Sequence, residues 1–169
     1  MPYWKLYYHL VWSTKNREPL LVPDVESIIY TFLRQKASHL KAVVHALNGD
    51  VDHVHMVVSI PPKIAVSKFV GQVKATASTR FNKGDFSKDD FFWQAEFGAF
   101  SFDHKRLRNF VSYVERQKQH HADHTTFRVL EQTEAVETNH VRELAATYVT
   151  EDMTWRQEMA ALSKILDEQ

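Results

Sequence analysis

The run Asp52-His53-Val54-His55-Met56-Val57-Val58-Ser59-Ile60-Pro61-Pro62 places two histidines one residue apart inside an apolar, β-branched stretch. Strand side chains alternate between faces, so His53 and His55 share one face while Val54 and Met56 point to the other. Two neutral imidazoles side by side can hold one metal ion. The same pair can also be polar residues on the wet face of a half-buried strand. Further along, Tyr113 and Gln117 stand four apart in "HKRLRNFVSYVERQKQHH". On a helix that spacing stacks them on one face, about 6 Å apart along the axis. Tyr113 sits within the apolar rows, which suits a core tyrosine with its hydroxyl at the rim. A phenol so placed can also form a covalent bond to phosphorus.

The elements that would carry these residues follow from periodicity and punctuation. "YWKLYYHLVWSTK" (3–15) is aromatic-rich and reads as a strand. After the loop "NREPLLVP", Asp24 can cap a helix to about Leu40, with Val25, Ile28, Ile29, Phe32, Leu33 and Ala37 at helical spacing. "AVVHALNGD" is a strand running into an Asn48-Gly49 turn signal, and "VDHVHMVVSI" pairs back on it as a hairpin that Pro61-Pro62 stop. From Ile64 to Asn82 the pattern is an amphipathic helix with a basic remainder. "FFWQAEFGAFSF" reads as a strand interrupted at Gly98, and Asp103 can cap the helix that carries Tyr113. A polar acidic linker and a last helix over roughly 138–168 complete the chain. The order β-α-β-β-α-β-α implies an α+β fold, a ferredoxin-like split βαβ with an antiparallel sheet and helices on one face. The sheet's other face is then open for a ligand or a second subunit.

The 169 residues are 44% hydrophobic and 25% charged, with no cysteine, so disulfides and thiolate metal sites are excluded. No apolar run approaches a membrane span, and the N-terminus lacks a signal-peptide layout, so a soluble cytoplasmic protein is expected. Net charge is zero, yet residues 1–130 hold 18 Lys and Arg against 12 Asp and Glu, while 131–169 hold 3 against 9. A basic body of +6 suits a polyanion. Lys15 and Arg17 after the first strand, and Lys68, Lys74 and Arg80 on the second helix, are the candidates for phosphate contact, each of them equally able to be a solvated surface residue. His120, His121 and His124 form a His-rich tract that can bind metal, but the cluster reads more readily as a solvent-facing helix end. His9 on the first strand can face the site or serve a cross-strand structural role.

Taken together, "YYHLVWSTKNR", "DHVHMVVSIPPKIAVSKFVGQVKATASTRF" and "NFVSYVERQKQHH" resemble, in order and separation, the single-tyrosine HUH transposases of small bacterial insertion sequences, the insertion-sequence 200/605 group. The resemblance covers about residues 3–130. It implies a transposase domain over 1–130, leaving 131–169 as an acidic linker and helical appendage of no implied role. By position it implies Tyr113 as the nucleophile and His53, His55 and Gln117 as ligands of a divalent ion, Mg²⁺ or Mn²⁺. It further implies cleavage and rejoining of single-stranded DNA through a 5′-phosphotyrosine, recognition of hairpin ends, and a homodimer with sheets joined edge to edge. A silent or domesticated DNA-binding relative, or a replication-initiator or relaxase type of HUH nuclease, stays open as an alternative. Histidine-triad hydrolases fit less well, since the third alternating position is Val57, and no RNP signature of an RNA-recognition motif is present.

Overall fold

The computed structural model describes residues 3–134, together with Gln157 and Ala160. The expected helix at 138–168 lies outside the described residues apart from those two. A compact unit runs from Met1 to Glu134, a few residues past the boundary read from the sequence.

Four strands form one sheet: β1 (Tyr7–Ser13), β2 (Val43–Asp50), β3 (His53–Ser59) and β4 (Gly98–Phe102), in the order β2-β3-β1-β4. Every neighbouring pair is antiparallel. Helices α1 (Pro23–His39) and α2 (Val66–Lys83) make the two crossovers. The last helical stretch is split into α3 (Leu107–Glu115), α4 (Gln117–Ala122) and a single turn, α5 (Arg128–Glu131). This is the split βαβ arrangement, with Asp103 capping the turn that leads into α3 by accepting from the Lys105 N–H.

Alternation sorts the central strands. Leu10 and Trp12 on β1 and Val54, Met56 and Val58 on β3 point to the face covered by α1 and α2, where they pack with Ile29, Leu33, Phe69, Val70, Val73 and Ala77. Each such fully buried side chain stabilises by about 1.5–3 kcal/mol. The opposite face is not open. Val57 and Ala46 there pack with Tyr113, Val114 and Leu130 of α3 and α5. Consequently β3 is buried along its whole length, and its histidines do not face water.

Three local expectations differ from what forms. Helix α1 starts at Pro23 with Val22 at the cap, and Asp24 sits in the first turn. The proline already presets helical φ there, so no side-chain cap is required. Asn48 and Gly49 are not the hairpin turn. They lie within β2 opposite His55 and Val54, and Val51-Asp52 make the connection. Gly98 begins β4 instead of interrupting a longer strand, with Trp93 joined to Thr14 by an isolated bridge.

Lys74 fixes that bridging segment. Its ammonium, 7% exposed, donates to the carbonyls of Gln94 (2.6 Å), Ala95 (3.0 Å) and Glu96 (3.2 Å). Its nitrogen is therefore occupied inside the fold, on the sheet face opposite the histidines, and the phosphate role read from sequence does not suit it. Lys74→Met should lower stability by on the order of 2 kcal/mol, since three carbonyls lose a buried donor, measurable by urea denaturation. Burial brings this lysine down to about 8, with Glu96 pulling the other way. The unfolded chain keeps the proton to about pH 10.4, so the group's contribution to stability rises between about pH 8 and 10, and Lys74→Met should remove that rise.

Candidate active site

His53 and His55 emerge from β3 beneath the α3–α5 layer, 3% and 0% exposed. The Nδ1 of His53 lies 2.5 Å from Asp52 Oδ1, and that hydrogen bond holds the Asp52 carboxyl below its usual range. The Nδ1 of His55 lies 2.9 Å from His9 Nε2. Burial, and then the neighbouring His55, bring His9 down to about 3, and burial also lowers His55. Both rings are therefore neutral at physiological pH, and one nitrogen of the pair donates while the other accepts. His9 thus has a positioning role across the sheet.

Tyr113 comes from the last turn of α3, 5% exposed. Its hydroxyl donates to Glu131 Oε1 at 2.6 Å and accepts from the Phe127 N–H at 3.1 Å. Burial and the Glu131 carboxylate push the phenol up to about 12, against the pull of the Gln117 amide and the Phe127 N–H. Burial alone would raise the Glu131 carboxyl. The hydrogen bonds from His55 and then Tyr113 overcome it and hold Glu131 at about 2. The resting pair is accordingly neutral phenol and charged carboxylate.

Gln117 stands where the helix breaks. Arg116 leaves helical geometry at φ −103° and ψ 21°, so Tyr113 and Gln117 belong to different segments, not to one continuous helix. Gln117 is fully buried; its Nε2 donates to the Tyr113 carbonyl at 3.4 Å and its Oε1 has no partner.

Glu131 has no reading in the sequence, and His121 has one only as part of the His-rich helix end, expected to face solvent. His121 is half-buried, its ring centroid 4.7 Å from that of His53. Glu131 sits on α5, with Oε2 at 3.1 Å from His55 Nε2 and 3.4 Å from His53 Nε2. One ligand atom each from His53, His55, His121 and Glu131 lies within 4.8 Å of the others. The Nε2 atoms of His53 and His121 and the Oε1 of Gln117 are buried without a hydrogen-bond partner. Unpartnered buried donors and acceptors of this kind are rare in folded chains. Imidazole nitrogens and a carboxylate gathered here suit a divalent ion, so the residues present fit such a group. The His-rich helix end had one usable signal: His121 falls four residues after Gln117.

The remaining basic candidates divide. Arg17 reaches Asp52 Oδ2 at 3.3 Å and lines a groove with Asn16, Gln94, Glu131, Thr133 and Glu134. Lys15 Nζ lies 5.7 Å over the Phe92 ring, close to that edge. Asn16 and Arg17 both take positive φ, 55° and 53°, turning the chain sharply out of β1. Arg80 instead binds Gln35 Oε1 at 2.6 Å and covers the Phe32 ring. Lys68 is exposed on α2, so it, Lys74 and Arg80 belong to the opposite side of the sheet.

The chain's likenesses agree with this geometry. Over 75 residues it is 29% identical to the transposase for insertion sequence element IS200 of Salmonella typhimurium, covering 44% of this chain and 49% of that protein. Over 77 residues it is 32% identical to the ISDra2 transposase TnpA of Deinococcus radiodurans, covering 46% and 55%. The chain spans about half the length of these curated relatives. Among solved structures, a Deinococcus radiodurans R1 protein described as a transposase matches with TM-score 0.55 and 26% identity, over 69% of this chain and 93% of that one. A REP-associated tyrosine transposase bound to a REP hairpin shares the fold at TM-score 0.55 and 15% identity, over 72% and 74% of the two chains. Residues 2–117 match the family model described as "Transposase IS200 like", which is more than half of the chain, and the protein belongs to that family.

Proposed function

We propose that this chain is a metal-dependent transposase that cleaves and rejoins single-stranded DNA through a phosphotyrosine at Tyr113. The observation that carries the reading is the meeting of the Tyr113 hydroxyl with the His53–His55 pair, through Glu131. Tyr113 Oη attacks the scissile phosphorus, the P–O3′ bond breaks, and the phosphate stays on the 5′ side as a phosphotyrosine. The phenolic proton leaves by way of Glu131 to solvent, since a carboxyl held at about 2 cannot keep it, and the departing 3′ oxygen takes a proton from water to end as a hydroxyl. In the reverse step a 3′-OH displaces Tyr113, so the phosphodiester bond energy is conserved and no nucleotide cofactor is needed. A divalent ion such as Mg²⁺ or Mn²⁺, held by His53, His55 and Gln117, would polarise the phosphate and favour the phenolate. His9 and Asp52 orient the two imidazoles. Arg17 and Lys15, beside the groove that adjoins Glu131, are the basic residues best placed to meet the DNA backbone.

Family membership supports a homodimer, DNA hairpin ends as the recognised feature, and a cytoplasmic, nucleoid-associated setting. No described helix is long and apolar enough to cross a membrane. One observation favours a second reading, a catalytically silent DNA-binding relative: the Tyr113 hydroxyl is engaged by both Glu131 and Phe127. The test is incubation with labelled single-stranded oligonucleotides carrying the flanking hairpin ends, with Mn²⁺ or Mg²⁺ and with a chelator. A metal-dependent covalent adduct on a denaturing gel supports the transposase. Hairpin binding without any adduct supports the silent relative.

A further inference from the structure

Three imidazoles converge on one oxygen. The Nε2 atoms of His55, His53 and His121 lie 3.1, 3.4 and 3.7 Å from Glu131 Oε2. The far nitrogen of each ring meets a polar atom: His53 Nδ1 meets Asp52 at 2.5 Å, His55 Nδ1 meets His9 at 2.9 Å, and His121 Nδ1 faces Asp50 at 3.9 Å. A hydrogen bond at Nδ1, as His53 has with Asp52, orients the ring around protein-bound metals. His55 Nε2, which donates to Glu131 Oε2 here, would give up that proton to take a metal, and His121 Nδ1 only faces a nearby charge. Donors around a tetrahedral centre with bonds of 2.0–2.1 Å lie about 3.3 Å apart. The three spacings bracket that value. A plain hydrogen-bonded cluster accounts less well for them, because His53 Nε2 and His121 Nε2 are buried without a hydrogen-bond partner.

The geometry points to a four-donor metal site, His53, His55, His121 and Glu131, that selects a later first-row transition ion such as Zn²⁺ or Co²⁺ over Mg²⁺. The inference rests on the reading of His53 and His55 as ligands and, in the DNA-free chain, puts two residues from beyond the family-matched segment 2–117 in the place given above to Gln117. Three nitrogens and one carboxylate oxygen are a poor set for Mg²⁺, which demands octahedral oxygen and gives up water reluctantly. Imidazole-rich sets suit the transition ions. Glu131 supplies the only anionic donor of the four, so it has the largest part in holding a dication in the DNA-free chain.

The test is a Co²⁺ titration of the full chain, followed by its visible d–d absorption, with Zn²⁺ and Mg²⁺ competing for the bound Co²⁺. Wild type, Glu131→Gln, His121→Ala and His55→Ala are compared, with circular dichroism to verify folding. The expected result is an intense low-coordinate Co²⁺ spectrum that Zn²⁺ removes and Mg²⁺ does not. Glu131→Gln and His121→Ala should each weaken binding by at least about tenfold, the lower bound for disturbing even a ligand's hydrogen-bonding partner. If both bind Co²⁺ like wild type while His55→Ala does not, the four-donor site is overturned and the His53–His55 reading stands. If wild type binds no better than His55→Ala, both are overturned. Displacement of Co²⁺ by Mg²⁺ at comparable concentration would overturn the selectivity.

Discussion

Tyr113→Phe is expected to abolish covalent capture of single-stranded DNA, a loss of at least about a thousandfold, the scale on which removing an attacking group acts. Phenylalanine keeps the ring that packs within 6.4 Å of His9, 6.2 Å of His55, 4.9 Å of His120 and 5.3 Å of Phe127. What disappears is the hydroxyl, with its bonds to Glu131 Oε1 and the Phe127 N–H. The fold and the metal affinity should therefore survive, whereas Tyr113→Ala would leave a cavity under α5 and confuse a lost nucleophile with a loosened site. Mass spectrometry of the protein after incubation with oligonucleotide and Mn²⁺ reads the result directly. An adduct that persists in Tyr113→Phe would assign the nucleophile to another residue. In wild type, the phenol pushed up to about 12 is protonated at rest. Its reactive fraction grows as pH rises, so the initial rate of adduct formation should climb by up to about tenfold per pH unit across the neutral range.

Gly49→Ala should have the largest effect on the fold. An added Cβ would stand 2.1 Å from the carbonyl oxygen of His53 and 2.9 Å from Val54 Cα, both of them backbone, so no side-chain rotation can relieve the clash. The two strands must separate locally, at the residues that aim the histidine pair. Overpacking between backbones ranks with the severe class of point substitutions, so a loss of about 3 kcal/mol is expected. In a unit of this size that lowers the melting temperature by roughly 10 °C. Because the displaced carbonyl belongs to His53, metal affinity should fall as well, even where the variant stays folded. Ser59, at the far end of β3, has no such contact with β2's glycine, and Ser59→Ala, which loses only the bond between its hydroxyl and His45, is a suitable control in the titration. A Gly49→Ala chain with wild-type melting would show that β2 can shift along its bulge at Val44/Ala46.

What could be read from the sequence divides along a physical line. Local signals served where local physics decides: the helical repeats of α1 and α2, the Asp103 cap and the alternation that puts His53 with His55. Asn48-Gly49 misled because the dipeptide is the strongest hairpin signal, and here the glycine serves close strand approach instead. The break at Arg116 had no proline or glycine to announce it. Glu131 was out of reach altogether. It lies 76 residues from its partner His55 in the chain, within a run of acidic residues that composition alone assigns to solvent. Only the fold-back of α5 over β1 and β3 brings its carboxylate to the histidines. The same fold-back turned the expected wet strand face into a buried one.

The one-residue break at Arg116 has a consequence for how such a chain can change over time. The proposed nucleophile rides on α3, anchored to the sheet by Val114 and Tyr113 themselves, whereas Gln117, His121 and Glu131 all follow the break. The family match ends at residue 117, on the same seam. Segments beyond it can be lengthened or replaced provided that the partners of the Tyr113 hydroxyl, Glu131 and the Phe127 N–H, are kept. The architecture therefore sets the proposed donors His121 and Glu131 on a segment apart from the family-matched strands and α3, and a graft at residue 118 that keeps Glu131 is the natural place to give this scaffold a new metal preference.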